Sequence, residues 1–199
     1  DGAVTLIGDE AAAPYQRPPL SKKYLLGDLD AERLHLRPIG WYREHGVDLR
    51  TGRAAVRIHP DQRRVDLIDG ESITYDRLAL TTGAAPRRLP ARVGGALDGV
   101  YCVRNLADVD AMRHEFRPGA RLLVVGGGYI GLEAAAVAAK KGMQVVLVEM
   151  ADRILQRVAA PETSAFFRAL HASHGVDIRE GVGLTRLLGE GHVTGAELS

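Results

Sequence analysis

The stretch Arg121-Leu-Leu-Val-Val-Gly126-Gly127-Gly128-Tyr129-Ile130-Gly131-Leu-Glu133, continued by Gln144-Val-Val-Leu-Val-Glu149, decides the reading of this chain. An apolar run is followed at once by a glycine turn. A small-residue helix runs from there to Gly142, and a second apolar run closes on a carboxylate. This is the pattern of a strand–turn–helix–strand unit with the glycine spacing of a dinucleotide site. Gly126 lets the chain turn out of the strand, Gly128 lets a pyrophosphate approach the backbone, and Gly131 lets the helix pack close to the strand. The helix N-terminus offers free N–H groups and a partial positive charge to phosphates. Glu149 stands 23 positions after Gly126, where an acid bonds a ribose 2′-hydroxyl and repels a 2′-phosphate. NAD is therefore expected over NADP.

The bulk composition sets bounds around this unit. With 199 residues, 46% of them hydrophobic and 26% charged, the chain can bury a core as one large domain or two small ones. The net charge of +1 gives no reason to expect a nucleic acid or an anionic membrane as partner. No apolar run approaches the roughly 18 residues that span a bilayer. The first residues, Asp1-Gly-Ala-Val-Thr-Leu, carry neither a charged leader region nor an apolar one, so no signal peptide is expected. One cysteine, Cys102, excludes an internal disulfide, a Cys-x-x-Cys pair and a cysteine zinc cage, which is compatible with a reducing cytoplasm. The seven histidines show no metal spacing, and His171 and His174 read as surface residues.

Taken in order, Val4–Ile7 reads as a short strand ending at Gly8-Asp9-Glu10. Alone, Asp9 and Glu10 read as a solvated strand end. Pro14-Tyr-Gln-Arg17-Pro-Pro-Leu-Ser-Lys22 is a rigid proline turn opening a short helix. It presents Arg17 and Lys22 on a stiff element, suited to an anionic ligand or a flavin pyrimidine edge, or else to a surface turn with solvated cations. Residues 37–45 read as a helix holding Trp41. The segments 54–58, 64–68 and 72–75 alternate, and read as an antiparallel meander with one wet face. A further strand is expected over 76–83, ending at Thr82-Gly83, and another over 101–104, ending at Arg104. Asn105 or Asp108 can cap a helix to about Phe116. Beyond Glu149, Arg153 and Arg157 sit close to the expected adenosine pocket. They read as phosphate or adenine contacts, Arg157 the better placed, or as solvated loop charges. A helix over 163–174, a third parallel strand over 176–179 and a hairpin over 183–198 complete the chain. The boundary between two units falls within 105–119, dividing the chain as 1–112 and 113–199.

The runs Pro-Tyr-Gln-Arg-Pro-Pro-Leu-Ser-Lys, Tyr-Asp-Arg-Leu…Thr-Gly-Ala-Ala-Pro-Arg and Gly-Gly-Gly-Tyr-Ile-Gly-Leu-Glu occur together and in this order. In this the chain resembles the FAD-dependent, NADH-dependent ferredoxin reductases that serve cytochromes P450 and Rieske-type oxygenases. The resemblance implies an α/β, Rossmann-like three-layer fold with a partial FAD-binding domain, 1–112, and an inserted, near-complete NAD-binding domain, 113–199. It implies FAD and NAD as cofactors, hydride taken from NADH onto FAD, and a ferredoxin-type iron–sulfur protein as single-electron acceptor.

Carried over by position, Asp9 and Glu10 would meet the FAD adenosine ribose, and Ala55 its adenine side. Lys22 would lie beside the isoalloxazine with Arg17 near it. Thr82-Gly83 would pass the FAD pyrophosphate, and Arg104 would approach FAD from the interdomain connection. Gly126, Gly128, Tyr129, Ile130 and Gly131 would cradle NAD, with Glu149 on its ribose, Arg157 near its adenosine and Glu133 close to nicotinamide and flavin. No side chain is assigned a covalent catalytic role. The family begins with its own Gly-x-Gly-x-x-Gly, which is missing here, so the resemblance also implies an internal segment. The proline run holds no reactive cysteine, which argues against a disulfide mechanism. The rubredoxin-reductase and nitrite-reductase flavoproteins, the apoptosis-inducing-factor group, and a non-catalytic NAD-binding module stand as alternatives.

Overall fold

The computed structural model describes residues 2–199 and divides them into two compact units. The first comprises residues 2–16 and 31–84, the second Arg17–Asp30 and Ala85–Ser199.

In the first unit, β1 (Val4–Ile7) pairs in parallel with β2 (Val47–Arg50), Val4 opposite Val47 and Ile7 opposite Arg50. Two short helices, α1 (Ala31–Leu34) and α2 (Ile39–Glu44), lie between them in the chain. β2 was not anticipated, because Val47-Asp-Leu-Arg is too short for its alternation to stand out from a loop. β3 (Ala55–His59), β4 (Arg64–Leu67) and β5 (Ser72–Thr74) form the expected antiparallel meander. Val65 and Leu67 of β4 point into its buried face.

Two expected strands are absent. Residues 76–83, in the first unit, form an irregular segment, with Leu80 64% exposed. Residues 101–104, in the second, have no strand partner, and Cys102 is only half-buried. A strand is completed by a neighbour's hydrogen bonds, and neither segment finds a ladder among the described residues.

The second unit is built on the parallel sheet β6 (Arg121–Val125), β7 (Gln144–Glu149), β8 (Val176–Glu180), with β7 in the middle. α4 (Tyr129–Lys140) crosses from β6 to β7, and α5 (Pro161–Ser173) from β7 to β8. α4 is alanine-rich, which favours helix. Its small side chains let it settle on the sheet: Ala135 and Ala138 are fully buried with Leu147 and Val148 of β7. Gly142, at φ +77°, ends α4 in a conformation that favours glycine. Pro161 occupies the first turn of α5, where its missing N–H costs nothing.

A short π-type helix, Leu20–Tyr24, packs against α4 and against α3 (Leu106–Met112). Asn105 caps α3 as expected. Its side chain accepts from the Asp108 N–H at 2.8 Å, and Asp108 returns the bond to the Asn105 N–H at 3.2 Å. β9 (Leu184–Leu188) and β10 (Gly195–Leu198) form the expected hairpin.

His171 corrects its expected surface position, for it is 8% exposed. Its Nδ1 lies 2.9 Å from the Phe167 carbonyl and its Nε2 3.1 Å from the Leu132 carbonyl of α4. The second acceptor comes from another helix, so spacing along α5 gave no sign of it. His174 is exposed.

Candidate functional site

The glycine turn lies between β6 and α4. Gly126 has φ +110° and extends the sheet by donating its N–H to the Val148 carbonyl at 2.8 Å. That φ belongs to glycine alone at little cost. A side chain on Gly131 would collide with the Gly126 carbonyl and crowd Val124, so this glycine sets the distance between α4 and β6. A side chain on Gly128 would meet nothing, which leaves the surface there open. Gly128 is the N-cap of α4, no side chain caps the helix, and Tyr129 and Ile130 are exposed beside it. The first-turn N–H groups thus face outward, as phosphate binding requires.

Glu149, at the end of β7, reaches back to this turn. Its Oε2 accepts from the Gly127 N–H and its Oε1 from the Ala151 N–H, each at 2.8 Å. Each oxygen keeps a second lone pair for a hydroxyl donor. Arg157 lies on the loop that follows β7, exposed, and among the described residues it has no charge partner. Gly127, assigned no part by the motif, is buried: a Cβ there would stand 2.6 Å from Ile154 Cγ2.

A second cluster stands at the same end of α4. Lys22 Nζ lies 2.8 Å from Glu133 Oε2, and Ser21 Oγ donates to that same oxygen at 2.5 Å. Lys22 also donates to the Pro18 carbonyl at 2.9 Å, and Arg17 Nη1 to the Arg104 carbonyl at 3.0 Å. These residues line a cleft of about 250 Å³ together with Leu20, Val103 and Ile130. Five of the expected site residues, Arg17, Lys22, Arg104, Ile130 and Glu133, therefore meet in one place, and Ile130 joins this cleft to the glycine helix. The Lys22 kink, with φ −124° and ψ −110°, turns its side chain onto α4.

Tyr24 holds the π-type helix from the other side. Its hydroxyl donates to Asp110 Oδ1 at 2.5 Å, and the Arg113 guanidinium lies 5.3 Å from its ring centre. Burial, then the Asp110 contact, pushes the Tyr24 hydroxyl above the usual tyrosine range. Ser21 was read only as part of the motif. A serine at 5% exposure with its hydroxyl on a helix 112 positions away leaves no trace in local sequence.

The remaining expected residues lie in the first unit. Asp9 follows β1, exposed, and its carboxylate accepts no side-chain hydrogen bond among the described residues. Glu10 accepts from the Tyr15 hydroxyl at 2.5 Å. The turns after β1 and β2 are tied together, Gly52 N–H to the Glu10 carbonyl at 2.8 Å and Arg53 N–H to the Gly8 carbonyl at 2.9 Å. Ala55 opens β3, opposite Leu67. Thr82 and Gly83 are exposed, Gly83 at φ +69°.

Comparison with known proteins identifies the family. A ferredoxin–NAD(P)+ reductase from Sphingomonas sp. is 44% identical over 199 residues, covering 100% of this chain and 48% of that protein. Putidaredoxin reductase from Pseudomonas putida is 44% identical over 183 residues, covering 91% of this chain and 43% of that protein. The crystal structure of the covalent putidaredoxin reductase–putidaredoxin complex superposes with a TM-score of 0.92 at 40% identity, over 100% of this chain and 49% of the solved one. The chain spans about half the length of the curated relatives it matches. The α/β, Rossmann-like fold expected from the sequence is the fold of these structures. The sequence pattern of one family runs from residue 1 to residue 199, so the chain belongs to the pyridine nucleotide-disulphide oxidoreductases.

Proposed function

We propose that the chain is the NAD-binding and part of the FAD-binding portion of an NADH-dependent ferredoxin reductase. Its reaction takes hydride from NADH onto FAD and delivers electrons singly to a ferredoxin-type iron–sulfur protein serving a P450 or Rieske-type oxygenase. The observation that carries this reading is the meeting of Lys22, Ser21 and Glu133 in the cleft that Ile130 shares with the glycine helix.

The residues fit both groups. The open face at Gly128, the uncapped α4 N-terminus and the Glu149 carboxylate suit the pyrophosphate and ribose of NAD. Gly126 and Gly131 hold that surface in shape, and Arg157 serves the adenosine end. The exposed Asp9 carboxylate, with Glu10, suits a ribose diol of FAD, with Ala55 at its adenine side and Thr82-Gly83 at its pyrophosphate. The cations Arg17, Lys22 and Arg104 suit the electron-rich pyrimidine edge of its ring. FAD, when bound, supplies hydride acceptance and the division of the pair into single electrons. The protein supplies the rest: Glu133 orients Lys22, Ser21 orients Glu133, and Ile130 shields the approach from water.

The chain divides in this reading at 1–112 and 113–199, FAD-binding and NAD-binding. Glu149 selects NADH over NADPH. In this reading the protein works in the cytoplasm, a location with which the proposed use of NADH is consistent. Among the described residues no helix is long and apolar enough to cross a membrane. The experiment is spectroscopic. A yellow preparation bleached by NADH without oxygen, then recoloured by an oxidised ferredoxin, supports the reductase. A colourless preparation that binds NAD+ reduces the proposal to an NAD-binding module, and one that binds neither sinks it.

A further inference from the structure

β7 and β8 run in parallel with Glu149 and Glu180 in register at their ends. Both carboxylates turn onto backbone N–H groups. Glu149 takes those of Gly127 and Ala151. Glu180 takes that of Ile154, through Oε1 at 3.0 Å, and holds Arg168 Nε at 3.0 Å through Oε2. Its side chain is 17% exposed.

Ile154 is fixed at every point. Its carbonyl accepts from Ser164 Oγ at 2.6 Å, and that buried hydroxyl accepts from Arg153 Nη1 at 2.6 Å. Its side chain, fully buried, fills the space behind Gly127. The next residue, Leu155, donates its N–H to the Gly127 carbonyl at 2.9 Å from a backbone at φ +55°. A branched aliphatic residue holds that φ only where its surroundings enforce it.

From these contacts we infer that Glu180 is a positioning residue for the dinucleotide cradle. Through the Ile154 N–H it fixes the loop that supports the Gly126–Gly128 turn, and so sets affinity for NAD(H). This rests on the reading of the turn as an NAD site. The physical ground is that an irregular loop keeps one geometry only when rigid elements satisfy its backbone groups. Glu180 stands on a strand end, Ser164 on a helix, and both grip the same residue.

The test uses the full chain with Glu180→Ala, Glu180→Gln and Arg168→Ala, read by NAD+ calorimetry and by amide hydrogen exchange. Glu180→Ala weakens NAD+ binding by about tenfold, the loss of one charge-assisted hydrogen bond. It also speeds exchange at Ile154 and Gly127. Glu180→Gln keeps an oxygen for the Ile154 N–H and restores affinity to within about threefold. Arg168→Ala removes only an ion pair whose arginine is more than half exposed and stays within about twofold. Unchanged Gly127 exchange in Glu180→Ala overturns the proposal, and so does unchanged NAD+ affinity beside faster exchange. A wild-type chain that binds no NAD+ overturns the NAD reading and with it the assignment of Glu180 to affinity. The exchange rates then decide separately whether Glu180 holds the turn.

Discussion

Glu133 Oε2 accepts from Ser21 and faces the Lys22 ammonium at 2.8 Å, so one carboxylate oxygen on α4 joins the proline-rich segment to the glycine helix. Two motifs far apart in the chain become one cluster. The charge of Lys22 is held where the proposed flavin edge would lie, and its position depends on Glu133.

Lys22→Met removes this charge and keeps much of the side-chain volume. In the FAD-loaded protein it should slow flavin reduction by NADH by about tenfold, the scale of one charge-assisted contact in the reacting complex. Stopped-flow absorbance measures it. An unchanged rate would discard the role of Lys22, whatever the effect on folding.

Gly128→Ala and Gly131→Ala separate binding from packing. The new methyl at residue 131 meets the Gly126 carbonyl, so α4 must shift, at a cost of about 1–3 kcal/mol by thermal unfolding. At residue 128 it meets nothing and stability stays near wild type. There it crowds the pyrophosphate instead, and NAD+ affinity should fall by about tenfold in a calorimeter. Equal affinity in Gly128→Ala and wild type would rule out a pyrophosphate at this turn.

Glu149→Ala removes the acceptor for the Gly127 and Ala151 N–H groups and the proposed ribose contact. NADH binding should weaken by about tenfold, while NADPH binding is unchanged or improves because a repelling charge is gone. The ratio of the two dissociation constants is the readout. Parallel losses for both cofactors would mean that Glu149 only supports the turn.

Asp66 gives a pH signature in the meander. The Ser72 hydroxyl, then His59, hold its carboxyl down to about 2. A folded value below the unfolded one adds stability above the usual carboxylate range, and this is lost as pH falls through about 2. The melting temperature of wild type should exceed that of Asp66→Asn at pH 6, and the two should converge between pH 4 and pH 2. A gap as wide at pH 2 as at pH 6 would refute this cause.

What the sequence could show was local. The spacing of Gly126, Gly128 and Gly131 between two apolar runs predicted β6, α4 and β7 because sheet and helix periods, turn φ and close packing act over a few residues. Asn105, a candidate cap beside Asp108, marked the start of α3 for the same reason. The strand expected over 76–83 failed where a partner was needed, and β2 was missed where a partner made a strand of four ordinary residues. His171 was misread because its second acceptor lies on α4.

By itself the sequence determined the strand–turn–helix–strand unit, the meander, the hairpin and the residue types available for charge and phosphate contacts. Only the tertiary structure decided which of them meet. It brought Ser21 and Lys22 onto Glu133, set Glu149 against the Gly127 N–H, and placed Glu180 behind Ile154. Such contacts close loops of tens to more than a hundred residues. Their geometry is set by how helices and strands pack, and neighbours along the chain do not encode it.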